Sequence, residues 1–291
     1  MWYSYTQIFK HYIYNAFFIK ALISLKHYIG NKFMNKHLSL QITQVFDMLS
    51  ITNVINKADH TSLVLFDVDD VLIMDEHPYR LTHPYRKQWR RESKARLSEE
   101  ERNLLFSIIL AERNVRLVDP SIVDILGDLE KRKIPTMALT KLYTDKFGVI
   151  EKMQDWRIKE LNAINIDFSK LTPIKDEILI HGLQVGYGVP VLLEGVILTA
   201  NRDKADILEH ILHEKKYYPK SIIFVDDVLE NLEVVQNLCE RLKINFHGFE
   251  YLAAKQVPEI ELDEKSERVR FQILEQKYRW LTEHNLTDIK H

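Results

Sequence analysis

Four short apolar runs dominate the chain: residues 62–66 (Ser-Leu-Val-Leu-Phe), 135–139 (Pro-Thr-Met-Ala-Leu), 221–225 (Ser-Ile-Ile-Phe-Val) and a weaker one at 244–249. Their apolar residues are continuous rather than alternating, so each predicts a strand covered on both faces, as in a parallel sheet. The stretches between them carry apolar residues at helical spacing. Residues 41–56 offer Ile42, Val45, Phe46, Leu49, Ile51, Val54 and Ile55, and residues 121–132 offer Ile122, Ile125 and Leu129. Residues 203–214 and 230–242 repeat the pattern. Strands alternating with helices predict an α/β fold: an open, doubly wound parallel sheet with helices on both faces and a ligand crevice at the carboxyl ends of its strands.

Two insertions interrupt this alternation. Residues 75–118 are highly charged with helical composition. Residues 144–199 carry Gly182, Gly186, Gly188, Pro190 and Gly195 among apolar residues, a clustering that predicts hairpin turns rather than helix.

The chemistry concentrates where strands end. Phe66-Asp67-Val68-Asp69-Asp70 delivers carboxylates abruptly from a buried strand, and Asp226-Asp227 follows the run at 221–225 in the same manner, with Asn231 close behind. Crowded carboxylates repel one another and resist desolvation, so they call for a cation or a titration role. In a parallel sheet both strand ends face one crevice, and the two clusters can offer oxygen ligands to one hard cation. Magnesium suits oxygen ligands, and neither the Cys/His spacing of a zinc site nor His-x-x-x-His occurs among the 12 histidines. The third run leads to Thr140, whose hydroxyl, with the backbone N–H of Lys141, can hold a phosphoryl oxygen. Lys204, at the start of a helical stretch, can neutralise phosphate and carboxylate charge.

Asp67-x-Asp69, Thr140, Lys204 and Asp226-Asp227 resemble, in order, the four motifs of the haloacid dehalogenase (HAD) superfamily, and they span Phe66 to Asn231. The resemblance implies a Rossmann-like core at residues 34–74 and 119–258, a helical cap at 75–118 and a Gly-rich hairpin insertion at about 144–199. It implies Asp67 as a nucleophile that is transiently phosphorylated, Asp69 as general acid/base, and Thr140, Lys141 and Lys204 around the phosphate. Asp226 and Asp227 would bind Mg2+ together with Asp67 and the backbone carbonyl of Asp69. Three positions depart from the common pattern: Asp70 and Ala205 stand where Gly is frequent, and Lys141 follows the motif threonine. A looser resemblance links the chain to an uncharacterised, phosphatase-like family known mostly from intracellular bacterial pathogens.

The implied activity is Mg2+-dependent hydrolysis of a phosphomonoester, on a small molecule or a phosphoprotein. Dehalogenating relatives lack the second aspartate, so Asp69 favours phosphoryl transfer. A phosphomutase or phosphotransferase, and a catalytically silent binding protein with this fold, are the competing readings. The insertions would choose the substrate. The first holds a basic run, Arg80, Arg86, Lys87, Arg90, Arg91, Lys94 and Arg96, with His77, Tyr79, His83 and Tyr85 beside it; the expectation is a solvated helix face ahead of a substrate contact. Trp89 and Trp156 read as core.

Lys plus Arg total 40 against 42 for Asp plus Glu, so no nucleic-acid partner is expected. A lone cysteine, Cys239, in a helical stretch reads as a buried hydrophobe in a reducing, cytoplasmic setting. Secretion into a host cell would follow from the pathogen-family resemblance. Residues 1–33 are aromatic and apolar, but Lys10, Lys20 and Lys26 break any run approaching the ~20 residues that span a bilayer. They read as a packed helical extension, ahead of membrane contact, or as sequence preceding a start at Met34. Residues 259–291 read as a charged helix docking through Val269, Phe271, Ile273, Leu274, Tyr278 and Leu281.

Overall fold

A computed structural model describes residues 42–76, 84–183, 188–258 and 263–282. The expected extension at 1–33 and the start at Met34 lie outside the described residues. The chain divides into two units, residues 1–43 and 44–291, and the site belongs to the second.

A mostly parallel sheet forms the centre. Its parallel strands are β2 (Ser62–Phe66), β5 (Thr136–Thr140), β8 (Val196–Leu198), β9 (Ser221–Asp226) and β10 (Asn245–Tyr251). With β1 (Ile42–Val45), β6 (Ile178–Leu179) and β7 (Val191–Leu193), the order is β1-β10-β9-β2-β5-β8-β7-β6. The pairs β10/β9, β9/β2, β2/β5 and β5/β8 run parallel, and β8/β7 and β7/β6 antiparallel. Every residue of β2 and β5 is buried. Continuous apolar sequence is what such two-sided burial requires. Val64, Phe66, Ile223 and Val225 pack in one core cluster with Ile51, Ile55, Ile122, Leu126 and Leu129 from helices; each buried side chain of this size is worth roughly 1.5–3 kcal/mol.

The helices are α1 (Leu49–Ile55), α2 (Pro84–Arg96), α3 (Glu99–Glu112), α4 (Ser121–Lys131), α5 (Met153–Asn162), α6 (Lys204–Glu214), α7 (Leu229–Leu242) and α8 (Glu264–Lys277). Local sequence sets their starts. Ser98 and Glu101 form a reciprocal capping box at α3, with Glu101 N donating to Ser98 Oγ (3.2 Å) and Ser98 N to Glu101 Oε2 (2.8 Å). Asp203 caps α6 by accepting from Ala205 N at 2.8 Å.

The structure corrects three expectations. Residues 41–56 are not one helix: Ile42–Val45 is a strand, and α1 begins only at Leu49. Hydrogen bonds divide the stretch, because Val45 O accepts from Leu252 N (2.9 Å) while Asp47 Oδ1 accepts from Ser50 N (2.7 Å). Residues 144–199 are not hairpin throughout, since α5 occupies Met153–Asn162, a stretch without Gly or Pro. The glycine signal belongs to the connections of β6–β8: Gly182 (φ 84°) and Gly188 (φ 98°) lie between β6 and β7, and Glu194 (φ 48°) and Gly195 (φ 80°) make the turn between β7 and β8. A Cβ on Gly195 would lie 2.7 Å from the Phe168 carbonyl oxygen. In the tail, Phe271, Leu274 and Leu281 are buried as expected, but Val269 (36%) and Tyr278 (59%) are exposed.

Residues 75–118 hold α2 and α3, bracketed by the antiparallel pair β3 (Ile73–Asp75) and β4 (Val115–Leu117). α8 covers them: Phe271 and Leu274 cluster with Trp89, Leu105, Ile108, Ile109 and Trp280. Trp89 stacks on Phe271 at 4.4 Å between ring centroids and donates to Glu275 Oε1 at 2.9 Å, so it is core, as expected. Cys239 is fully buried, and burial pushes its thiol up to about 12, which makes it inert.

Candidate active site

β2 lies between β9 and β5, with Phe66 level with Val225 on one side and Ala138 on the other. Because the three strands run parallel, Asp67, Thr140 and Asp226 emerge at one end of the sheet. Asp67 (7% exposed), Thr140 (2%) and Asp226 (0%) are all buried. Asp67 N donates to Val225 O at 2.8 Å, extending the ladder to the acid itself.

Lys204, the first residue of α6, is fully buried and joins the acids. Its Nζ lies 2.6 Å from Asp226 Oδ2 and 2.8 Å from Asp67 Oδ1. Asp226 Oδ1 accepts from Val228 N (2.9 Å) and Asn231 Nδ2 (3.0 Å), which fixes this carboxylate from both sides. Asp227 is half-buried, with Lys255 Nζ 3.9 Å from its carboxylate and donating to its carbonyl oxygen at 2.5 Å.

One carboxylate oxygen from each of Asp67, Asp226 and Asp227 lies within 4.8 Å of the others. Three carboxylates around one buried ammonium leave excess negative charge. Burial, with repulsion from Asp226 and Asp227, pushes Asp67 up to about 8 against the pull of Lys204. Burial and the charges of Asp226 and Asp70 push Asp227 up to about 7. Asp67 Oδ1 is buried and, despite the nearby ammonium, accepts no aligned hydrogen bond among the described residues. A cation fits this oxygen-only set of carboxylates, with the negative charge that one ammonium leaves uncompensated. Hard-cation chemistry is what such ligands favour.

Asp69 goes elsewhere. Val68 O accepts from Leu72 N (2.9 Å) and Ile73 N (3.0 Å), and Asp70 adopts φ 62° in this tight turn. Gly would take that conformation at least cost; Asp is among the residues that tolerate it. The turn leaves the Asp69 side chain 46% exposed and directs it at two arginines. Arg157 Nη2 donates to both Asp69 oxygens (3.0 and 2.8 Å), and Arg113 Nη2 stands 3.5 Å away. Glu160 ties the pair together, accepting from Arg157 Nη1 (2.6 Å) and from Arg113 Nε (2.9 Å) and Nη2 (3.0 Å). Desolvation would raise the Asp69 carboxyl, but Arg157 and Arg113 outweigh it and hold it below the usual carboxylate range.

Of the four aspartates expected around a metal, the fold gathers the carboxylates of three; Asp69, expected there through its backbone carbonyl, turns its side chain to arginines. Lys141, expected at the phosphate, has an exposed side chain; only its backbone follows Thr140 directly. Arg157 and Arg113 were not anticipated. Arg157 sits on α5 in the stretch read as hairpin, and the Arg157–Glu160 pair at helical spacing was the signal that could have found it. A cleft of about 270 Å³ opens beside Asp69, lined in part by Asp70, Phe106, Leu110, Arg113 and Arg157.

A mixed α/β protein with a mostly parallel sheet and an acidic cluster at its strand ends is thereby defined. The chain belongs to the family described as "Protein of unknown function (DUF2608)", whose model matches residues 44–287. It is similar to "Uncharacterized protein RP296" of Rickettsia prowazekii (strain Madrid E), 21% identical over 227 residues, covering 74% of this chain and 78% of that protein. It is also similar to "Uncharacterized protein RC0398" of Rickettsia conorii (strain ATCC VR-613 / Malish 7), 25% identical over 130 residues, 43% of this chain and 44% of the relative. An uncharacterised protein of Rickettsia felis matches at 26% over 130 residues, with the same coverage. The chain thus spans less than half the length of the last two. The match bears out the looser resemblance, to an uncharacterised bacterial family. No solved structure matches the chain. Among the described residues no helix is long and apolar enough to cross a membrane.

Proposed function

We propose that this protein is a Mg2+-dependent phosphatase of the HAD type, hydrolysing a phosphomonoester through an aspartyl-phosphate on Asp67. One observation carries the reading: a buried lysine bridges Asp67 and Asp226 at 2.8 and 2.6 Å, with Asp227 completing a group of carboxylate oxygens within 4.8 Å. The helices at 84–112 are the counterpart of a cap in this reading, and β6–β8 that of the hairpin insertion.

Asp67 attacks phosphorus from the end of β2; the P–Oδ bond forms as the bond to the leaving oxygen breaks. Lys204 holds the attacking carboxylate against Asp226 and cancels part of the charge that would otherwise repel an anionic substrate. Mg2+, held by Asp67, Asp226 and Asp227, supplies when bound the positive charge that draws in the phosphoryl oxygens. Thr140 offers its hydroxyl at the neighbouring strand end. Asp69, poised by Arg157, moves protons at the leaving oxygen and then takes one from the water that attacks the aspartyl-phosphate, restoring Asp67.

The test is release of inorganic phosphate from p-nitrophenyl phosphate by wild type and Asp67→Asn, each with Mg2+ and with chelator. Turnover that needs both Asp67 and Mg2+ supports the reading. Activity that survives in Asp67→Asn, or folded wild type that turns over none of a broad phosphoester panel, overturns it.

A further inference from the structure

The basic run in the helical insertion is divided by the fold. Arg86 is buried, with its guanidinium 5.1 Å from the Trp280 ring centroid, and Arg96 pairs with Glu275 at 2.8 Å. Arg90, Arg91 and Lys94 are exposed and line a groove of about 450 Å³, joined there by Arg102, whose Nη1 donates to Leu97 O at 2.6 Å. Glu99 is the one carboxylate among the described lining residues. No described residue forms an ion pair with Arg91 or Lys94. A surface that served solubility alone would mix both signs of charge evenly; here four cations from α2 and α3 line one concavity beside a single carboxylate, Glu99.

The position of the groove gives those cations a use. Phe106 lines both it and the cleft beside Asp69, so one ring is a wall of both hollows. Arg90 lies over that ring, 5.7 Å from its centroid. A ligand anchored beside Asp69 that extends across Phe106 would have guanidinium and ammonium groups on the far side of that ring. At about 450 Å³ the groove has the size of a small-molecule site, and the cleft, at about 270 Å³, falls just short of it. Guanidinium forks and a lysine ammonium match phosphate oxygens in particular.

We infer that this groove is the subsite for a second phosphate, and that the substrate is a small phosphomonoester whose leaving group itself carries a phosphate. The inference rests on the proposed phosphatase reading for the orientation of the ligand, but the groove's affinity for a second phosphate is measurable without turnover.

The experiment is calorimetric titration of the full chain, as wild type in chelator and as Asp67→Asn with Mg2+, with adenosine 3′,5′-bisphosphate and with AMP. The same titrations use the double variant Arg91→Gln/Lys94→Gln, whose thermal midpoint checks that it is folded. The expected result is roughly tenfold or greater preference for the bisphosphate, as two charge-assisted hydrogen bonds supply, lost in the double variant. Fructose 1,6-bisphosphate against fructose 6-phosphate repeats the comparison without a base. Equal binding within each pair, no binding of any compound at millimolar concentration, or a preference that survives in the double variant overturns the inference. A preference without turnover by wild type leaves the groove standing and removes the phosphatase; turnover without preference does the reverse.

Discussion

Arg157 Nη2 grips both carboxylate oxygens of Asp69, at 3.0 and 2.8 Å. The arginine is 1% exposed and sits on a helix in one insertion, whereas the aspartate follows the central strand. Asp69 is therefore not free to choose its rotamer: its orientation is set from α5, and Arg113 and Glu160 brace the arginine that sets it. The following predictions use that arrangement and its neighbours.

Arg157→Met should lower kcat by on the order of 10²-fold with little change in KM, because misplacing a proton-transfer group by an ångström costs that much. It also leaves Glu160 and Asp69 less compensated, at about 3 kcal/mol of stability, the lower end for a broken buried pair. Arg157→Lys keeps the charge without the fork and should fall between the two. Steady-state kinetics and urea unfolding read both quantities; a Met variant with wild-type kcat would remove Arg157 from the mechanism.

The two arginines keep Asp69 ionised, which suits accepting a proton and hinders donating one. Leaving groups that need little protonation should be favoured. A series of aryl and alkyl phosphates should therefore show kcat/KM declining steeply as the leaving-group pKa rises, and Arg113→Gln should flatten the series by letting Asp69 hold a proton. A flat wild-type series contradicts this.

Metal binding can be read without substrate. Mg2+ should raise the melting temperature of the wild type, since a ligand at a hundredfold excess over its Kd adds about 2.7 kcal/mol. Asp226→Asn and Asp227→Asn should respond far less, and Asp226→Asn should also melt lower without metal, because Lys204 loses a partner at 2.6 Å. An undiminished Mg2+ shift in both variants places the ion elsewhere.

In the metal-free protein Asp67 and Asp227 titrate near 8 and 7, above the 3.8 of an unfolded chain. These two groups then hold more protons in the folded than in the unfolded state across that window, so their contribution to stability is most favourable near pH 4 and falls as pH rises to about 8; Asp69, held low by its arginines, acts in the opposite sense only below that window. Lys204, raised above 10.5, changes nothing below that pH. The urea midpoint should drop between pH 5 and pH 8, and Mg2+ should reduce the drop by replacing the protons. A midpoint that rises over this interval refutes the account.

Gly195→Ala should cost about 2 kcal/mol, the usual range for a side chain forced into left-handed backbone, because its Cβ meets the Phe168 carbonyl oxygen at 2.7 Å. A thermal melt reads the loss, which should fall on stability rather than on turnover per folded molecule.

How much of this was legible follows from range. Asp67, Asp226 and Thr140 each stand at the end of an apolar run, and a parallel sheet brings such ends together whatever lies between them; the run and the residue are adjacent in sequence. Lys204 was legible as a helix start. The partners of Asp69 were not, because the Asp69–Arg157 contact spans 88 positions and joins a strand end to an insertion that no periodicity relates to it. The helix carrying Arg157 was hidden by glycines clustered later in the same stretch. The first helix was overextended for a different reason: Ile42 and Val45 suit a helical stripe and an edge strand equally, and only pairing across the sheet decides.

Trp89 and Glu275 meet across 186 positions, and with Phe271 and Trp280 they fasten α2 and α3 from the far end of the chain. Synthesis proceeds from the N-terminus, so the insertion emerges long before its fastener does. Before α8 emerges, Trp89, Leu105 and Ile108 have only neighbours within the insertion, such as Leu97, Leu104 and Phe106, to pack against, and a chain stopped short of residue 264 would leave that apolar patch without Phe271, Leu274 and Trp280. Emergence of α8 and Trp280 is thus the event that covers the insertion, and products truncated before them should be recognised by chaperones and proteases at this surface.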